Sequence, residues 1–176
     1  VLRKWDLRTN PENTSAALAI LTLQSLLHGR EIERDPAQLV AGLIETARRL
    51  KERFGRVDVP WAQVNRLIRG QVDYGLGGGP DVLHAVYGKE MKDGRLRGFV
   101  GDSYVLLVTW DAQGRVHSRS IHQYGSATLD ATSPHYADQA ELFVRRQLKP
   151  VWLDVRDIRA HLEREYRPGE ERPVPQ

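Results

Sequence analysis

The pattern of apolar and polar residues is most distinctive in the middle of the chain, where residues 104–110 are almost all apolar or β-branched. A continuous apolar run of this length is typical of a strand that is covered on both faces. Residues 111–114 have the composition of a turn, and residues 116–123 return as the second arm of a hairpin. Because such an apolar hairpin is unstable alone in water, we expect helical layers to cover it.

Two helices are predicted in the first half of the chain. The first is capped by Asn13 or Thr14 and runs through Leu27, with Gly29 as its stop. It is apolar most of the way round, which predicts a buried helix. The second begins with an N-cap and proline pair at residues 35–36 and ends at Gly55. It carries one apolar stripe at helical spacing, formed by Leu39, Val40, Leu43, Ile44, Ala47, Leu50 and Phe54.

Shorter elements are predicted between the second helix and the hairpin. Residues 61–68 are expected to form a brief helix that ends at Gly70. Residues 82–87 and 95–100 are expected to form strands, separated by a turn at residues 92–94.

Two further helices are predicted after the hairpin. Ser133 and Pro134 have the composition of an N-cap and first helical residue, which predicts a helix through about Leu148. Asp154 is expected to cap the last helix.

These elements together predict an α+β fold in which helices pack on antiparallel strands. Residues 1–166 are expected to be one segment, with a helical first half, a strand hairpin at about 96–123 and two helices after it. Residues 167–176 are polar and rich in proline, which predicts a mobile tail.

Composition narrows the possible classes of protein. The 176 residues suit one domain or one large piece of a bigger protein, and the absence of cysteine rules out disulfides and thiol catalysis. No run of about 18 apolar residues is present, so we expect no membrane span. The 26 basic and 23 acidic residues are interspersed, which argues against a nucleic-acid partner. Val1 in place of Met, with no signal peptide, leads us to expect a processed start or one inside a longer sequence.

A glycine-rich segment at residues 75–80 invites comparison with phosphate-binding loops. The P-loop requires Gly-Lys followed by Ser or Thr, whereas this chain has Gly-Pro-Asp. We therefore expect a loop whose backbone passes close to another segment.

The histidines do not predict a metal site. His117 and His122 stand five residues apart in a predicted strand, so their side chains point to opposite faces. The other four have no partner at the spacing of a zinc motif: His28, His84, His135 and His161. We expect no metal and no cofactor.

A Ser-His-Asp arrangement could be assembled from residues in and near the hairpin. Its members would be Ser103 and Asp102 with His117, His122 or His135. No Gly-x-Ser-x-Gly elbow accompanies them, so this arrangement is not favoured.

One string of residues after the hairpin is unusual, because polar and aromatic groups crowd around a predicted helix start. A structural cap that fixes the preceding loop is favoured over direct catalysis. Its members are Ser133, Pro134, His135, Tyr136, Asp138 and Gln139.

This string, with residues 125–126 before it and 148–152 after it, resembles the carboxyl-terminal end of the penicillin acylase family of N-terminal-nucleophile hydrolases. In that family Gly-Gln-Ser is frequent where this chain has Gly125-Ser126 and a longer spacer. Further segments are similar to the branch of acyl-homoserine lactone and aculeacin acylases, at residues 2–6, 61–67, 78–80 and 101–104.

The resemblance implies a four-layer αββα sandwich in a precursor that cuts itself into two chains. This chain would be the carboxyl-terminal part of the larger (β) chain, and its partners would be the α chain and the nucleophile-bearing start of the β chain. The nucleophile is implied to be a new amino-terminal serine whose own amine serves as base. Cleavage at Gly125-Ser126 is not expected, because the processed serine of the family is usually followed by Asn and here Ala127 follows.

The resemblance also implies hydrolysis of an acylated amide, such as penicillin, an acyl-homoserine lactone or a lipopeptide, with roles in antibiotic biosynthesis or quorum quenching. No catalytic residue is transferred to this chain, which is expected to be inactive alone and to form homodimers when isolated. A periplasmic or secreted location is implied by the family only.

Two other hypotheses remain open. One is a binding or scaffold domain that retains the acylase ending without its chemistry. The other is a self-contained metal or serine hydrolase that uses His117, His122 or His135, which the spacing of these histidines argues against.

Overall fold

The computed structural model describes residue 3, residues 5–28 and residues 31–167. The chain divides into two compact units, one of Val1–Val105 with Ile121–Gln147, and one of Leu106–Ser120 with Leu148–Gln176. The predicted helix stop at Gly29 and residues 168–176 of the predicted tail lie outside the described residues.

Helix α1 (Ala16–Ser25) confirms the first predicted helix and its burial, but it ends two residues before the predicted Leu27, which begins a strand. The side-chain oxygen of Asn13 accepts hydrogen bonds from the backbone N–H groups of Ser15 and Ala16, both at 2.9 Å. These bonds satisfy donors that have no partner within the helix. A two-stranded ribbon follows, formed by β1 (Leu27–His28) and β2 (Glu31–Ile32).

Helix α2 (Pro36–Phe54) has the predicted boundaries. The Asp35 side chain accepts a hydrogen bond from the N–H of Ala37 at 3.1 Å, and Gly55 ends the helix with a φ of 75°. The predicted apolar stripe is only partly buried: Leu50 is 2% exposed, whereas Ile44 is 63% exposed.

A four-stranded sheet also lies in the first unit, with strand order β4-β3-β6-β5. Strands β3 and β6 are parallel, and the other neighbours are antiparallel. The strands are β3 (Asn65–Arg69), β4 (Val72–Gly75), β5 (Val86–Glu90) and β6 (Leu96–Gly101). Strand β6 and the turn before it agree with the sequence prediction, whereas β5 begins four residues later than predicted.

The predicted helix at residues 61–68 is wrong beyond its first turn. Helix α3 (Trp61–Val64) is short, and the chain becomes extended at Asn65. The buried amide of Asn65 donates to the carbonyl oxygens of Leu76 and Gly77, at 3.1 and 3.2 Å. These bonds and the pairing of β3 with two strands outweigh the local helical preference.

The core of the first unit lies where α1, α2 and α3 meet. Trp61 is 1% exposed, and its indole N–H donates to the carbonyl oxygen of Gly78 at 2.6 Å. The buried cluster consists of Ala16, Ala17, Leu18, Ile20, Leu50, Val59, Trp61, Val64 and Leu96.

The predicted hairpin is confirmed as β7 (Tyr104–Trp110) and β8 (Val116–His122). The Asp111 carboxylate accepts from the N–H groups of Gln113 and Arg115, both at 2.9 Å, and Gly114 has a φ of 77°. With β9 (Lys149–Pro150) these strands form a three-stranded sheet in the order β7-β8-β9. Helix α5 (Val155–Ala160) follows, and Asp154 caps it as predicted.

The expectation that the hairpin is covered on both faces is wrong for the described residues. Leu106, Leu107 and Trp110 are 50%, 53% and 66% exposed. Helix α5, which was expected to help cover the strands, buries none of its own residues. The combination of helices with largely antiparallel strands nevertheless confirms the α+β fold. No helix in the described part of the chain is long and apolar enough to span a bilayer.

Candidate functional site

Residues 133–139 form a series of turns before α4 (Ala140–Val144). The Ser133 hydroxyl accepts from the backbone N–H of His135 at 3.1 Å, and the N–H of Tyr136 donates to the carbonyl of Ser133 at 3.1 Å. The predicted helix start at Pro134 and its extension to Leu148 are therefore wrong. The serine closes a local turn instead, and Arg146 has left-handed backbone geometry with a φ of 56° soon after α4 ends.

His135 and Asp138 form a side-chain pair, with Nδ1 2.9 Å from Oδ2. The two side chains are 59% and 38% exposed. The backbone carbonyl of His135 accepts from the N–H of Ala127 at 3.1 Å. A Cβ at Gly125 would lie 2.1 Å from that same carbonyl oxygen, so only glycine allows this approach of the two backbones.

Arg69 holds the turns against β3. Its guanidinium lies 3.8 Å from the ring centroid of Tyr136 and 4.9 Å from that of Tyr124. Its Nη2 also donates to the carbonyl of Thr128 at 2.9 Å. Arg69 can stack on two rings and also bond a carbonyl because its guanidinium is planar and has several N–H donors. A lysine ammonium could not make all of these contacts.

Gln139 and Tyr124 connect the turns to two strands. Gln139 is 8% exposed, and its side-chain oxygen accepts from the N–H of His122 at 3.2 Å. Its own N–H donates to the carbonyl of Tyr124 at 2.8 Å, and the Tyr124 hydroxyl donates to the carbonyl of Gly98 at 3.3 Å. Burial raises the pKa of Tyr124, which keeps this hydroxyl a donor. We call Arg69, Tyr124, His135, Tyr136, Asp138 and Gln139 the clamp.

The clamp has part of the chemistry of a hydrolase but lacks the nucleophile. A histidine that is oriented by an aspartate can act as general base when its other ring nitrogen reaches the hydroxyl of a nucleophile. Among the described residues, no serine hydroxyl is hydrogen-bonded to the His135 ring, and the Ser133 hydroxyl bonds the backbone instead. The geometry therefore fits the structural cap predicted from the sequence.

A family model for penicillin amidase matches residues 1–160. The chain belongs to the penicillin amidase family. Among solved structures, it is similar to a thermostable penicillin G acylase from Alcaligenes faecalis, with 17% identity and a TM-score of 0.35. That match covers 91% of this chain and 29% of the acylase chain, so this chain spans less than a third of its length. A search of curated proteins found no match.

In this member of the penicillin amidase family, the other serine and histidine candidates are not assembled into a site among the described residues. His117 Nε2 lies 3.4 Å from an Asp111 carboxylate oxygen, and the His122 ring packs on Tyr104 at 5.0 Å between centroids. Within the described part of the chain, Ser103 makes no hydrogen bond with a histidine. Groups of three or more potential metal ligands are also absent from the described residues.

The remaining histidines differ in their surroundings. The His84 and Phe143 rings form a T-shaped pair with centroids 4.9 Å apart, and the buried Nδ1 of His84 has no hydrogen-bond partner among the described residues. Burial lowers the pKa of His84, and nearby Arg146 lowers it further. His161 stacks on Trp152, with ring centroids 4.1 Å apart. The side chain of His28 lies outside the described part.

The glycine-rich loop makes the close backbone approach predicted for it. Gly78 has a φ of 77° and donates its N–H to the carbonyl of Thr9 at 2.9 Å. A Cβ at Gly78 would lie 2.4 Å from the carbonyl oxygen of His84. The glycines therefore serve backbone packing between segments that are distant in sequence.

Two residues of the clamp, Arg69 and Tyr124, were not identified from the sequence. Arg69 contacts Tyr136 across 67 positions, and no local pattern marks a contact at that separation. Gly70, which follows Arg69, leaves room for this contact, because a Cβ there would lie 3.2 Å from the Tyr136 ring.

Proposed function

We propose that this chain is the structural carboxyl-terminal part of an acylase that hydrolyses the amide bond of an acylated substrate. The nucleophilic serine is supplied by another part of the parent protein. The clamp is the main support for this proposal. Its His135-Asp138 pair packs against the backbone at Gly125, and no hydroxyl among the described residues is hydrogen-bonded to the His135 ring. Membership of the penicillin amidase family supports amide hydrolysis as the reaction of the whole enzyme.

The proposed substrates are an acyl-homoserine lactone, an acylated lipopeptide or penicillin. The similarity of residues 78–80 and 101–104 to the branch of acyl-homoserine lactone and aculeacin acylases favours the first two. An amino-terminal serine that provides both nucleophile and amine base needs no cofactor. By the same family reasoning, the parent enzyme acts in the periplasm or outside the cell.

The proposed partner is the upstream part of the same acylase, which comprises the α chain and the start of the β chain. The exposed apolar side chains of α2 support this partner. Val40 and Ile44 lie one turn apart on one face of the helix and are 56% and 63% exposed. Exposed apolar surface of this kind is typical of an interaction site.

Reconstitution tests the proposal. The chain alone, the upstream polypeptide alone and the mixture would be assayed with a long-chain acyl-homoserine lactone, an acylated lipopeptide and penicillin G. We expect hydrolysis only in the mixture. Hydrolysis by the chain alone would overturn the proposal. A mixture that binds these substrates without hydrolysing them would also overturn it and favour the scaffold domain.

A variant in the mixture separates a structural clamp from a catalytic one. His135→Gln preserves a polar side chain on the turn but cannot transfer protons. We expect hydrolysis within a few-fold of the wild-type mixture, because His135 positions backbone only. A loss of about 10²–10⁴-fold, the range typical of a missing general base, would assign catalysis to His135.

A further inference from the structure

We propose that the outer edge of β7 pairs with the same edge of a second copy of this chain, in an antiparallel register centred on Leu107. In its sheet of order β7-β8-β9, strand β7 (Tyr104–Trp110) is at the edge. An edge strand presents a row of unpaired N–H and C=O groups that can bond to another strand. This inference is independent of the proposed acylase role.

The β7 edge lacks the usual protection against such pairing. Natural edge strands carry a lysine, a proline or a bulge that blocks a second strand. The seven residues Tyr104–Trp110 include no charge, no proline and no glycine. Leu107 and Trp110 are 53% and 66% exposed, so pairing would also cover apolar surface.

The sequence of β7 is complementary to itself when two copies run antiparallel. Centring the pair on Leu107 places aromatic opposite aromatic and β-branched opposite β-branched or aliphatic, which are favourable cross-strand combinations. The opposed residues are Tyr104 with Trp110, Val105 with Thr109, Leu106 with Val108, and Leu107 with its own copy.

The acidic residues that flank β7 select this register over its neighbours. Centring on Leu107 leaves Asp102 and Asp111 beyond the paired residues, each opposite an uncharged residue. Centring on Leu106 would place Asp102 opposite Trp110, and centring on Val108 would place Asp111 opposite Val105. Either shift would desolvate a carboxylate inside the ladder.

Charge substitutions at Leu107 test the self-association. The wild-type chain is expected to be dimeric in sedimentation at high concentration. Leu107→Lys and Leu107→Glu each place two like charges opposite each other, so each should raise the dissociation constant at least about tenfold. An equal mixture of the two variants should restore the dimer. Leu129→Lys, at a position 98% exposed, is the matched control and should associate like wild type.

Cysteine cross-linking tests the register separately and does not depend on dimer affinity. The chain has no cysteine, so one introduced thiol is unique. Opposed residues lie about 4.5–5.5 Å apart, which suits a disulfide, so Leu107→Cys should form a dimer on oxidation. Thr109→Cys on the same face should not, since its two copies would be separated by about four residues along the strands.

Three results would overturn the inference. One is a monomeric wild-type chain at its highest soluble concentration. Another is a dimer that survives Leu107→Lys with its circular dichroism unchanged. The third is cross-linking of Thr109→Cys as efficient as that of Leu107→Cys.

Discussion

Replacing Trp61 by alanine is expected to lower the free energy of unfolding by about 3–5 kcal/mol, a large share of what a domain of this size possesses. Trp61 is 1% exposed at the centre of the core cluster. The substitution leaves a cavity among α1, α2 and α3. It also removes the indole N–H that donates to the carbonyl of Gly78 at 2.6 Å.

Urea denaturation followed by circular dichroism measures this loss. Trp61→Phe preserves an aromatic ring but leaves the Gly78 carbonyl without its donor, so it should cost about 1–3 kcal/mol. Leu83→Ala truncates an apolar side chain that is fully exposed, and should stay within about 0.5 kcal/mol. Equal midpoints for Trp61→Ala and Leu83→Ala would contradict the assigned core.

Gly125→Ala is expected to cost about 1–3 kcal/mol and to detach the clamp, because the new methyl group cannot be accommodated. Its Cβ would lie 2.1 Å from the His135 carbonyl oxygen and 2.5 Å from a carboxylate oxygen of Asp138. To relieve this steric clash, the turns at residues 133–139 must move away from residue 125. That movement breaks the hydrogen bond from the Ala127 N–H to the His135 carbonyl.

Hydrogen exchange at the backbone amides of Ala127 and Gln139 reports this detachment, and both should lose protection in Gly125→Ala. Gly98→Ala is the matched control, since its Cβ would meet only ordinary contacts at 3.4 Å or more. Unchanged protection in Gly125→Ala, with stability equal to that of Gly98→Ala, would show that the clamp is not held by this backbone approach.

The elements that were predicted correctly are encoded by neighbouring residues. The Asp35-Pro36 pair and Gly55 define both ends of α2 within its own sequence. Asp111 and Gly114 likewise form the hairpin turn through contacts that span four residues. Local signals of this kind need no knowledge of the tertiary structure.

The elements that were predicted wrongly depend on distant partners. Asn65 leaves the helix because its amide bonds to Leu76 and Gly77, and residues 133–139 remain turns because Arg69 and Gly125 hold them. The burial of β7 was overestimated for a related reason. An apolar strand indicates that its faces are to be covered, but its sequence does not indicate whether the same chain or another one covers them.

The family could be predicted from the sequence. The structural role of residues 133–139, the segment most characteristic of that family, could be assigned only from the structure. Residues 133–139 pointed to the penicillin amidase family, which the match over residues 1–160 confirms. Only the geometry shows that Ser133 bonds backbone and that His135 pairs with Asp138.

Locating the nucleophile tests the central claim most directly. The reconstituted enzyme would be treated with a sulfonyl fluoride that modifies activated serines, and the labelled peptide would be identified by mass spectrometry. We expect loss of hydrolysis with one label on the upstream polypeptide and none on this chain. A label on Ser103, Ser126 or Ser133 that parallels the loss of hydrolysis would contradict the claim and place the active site here.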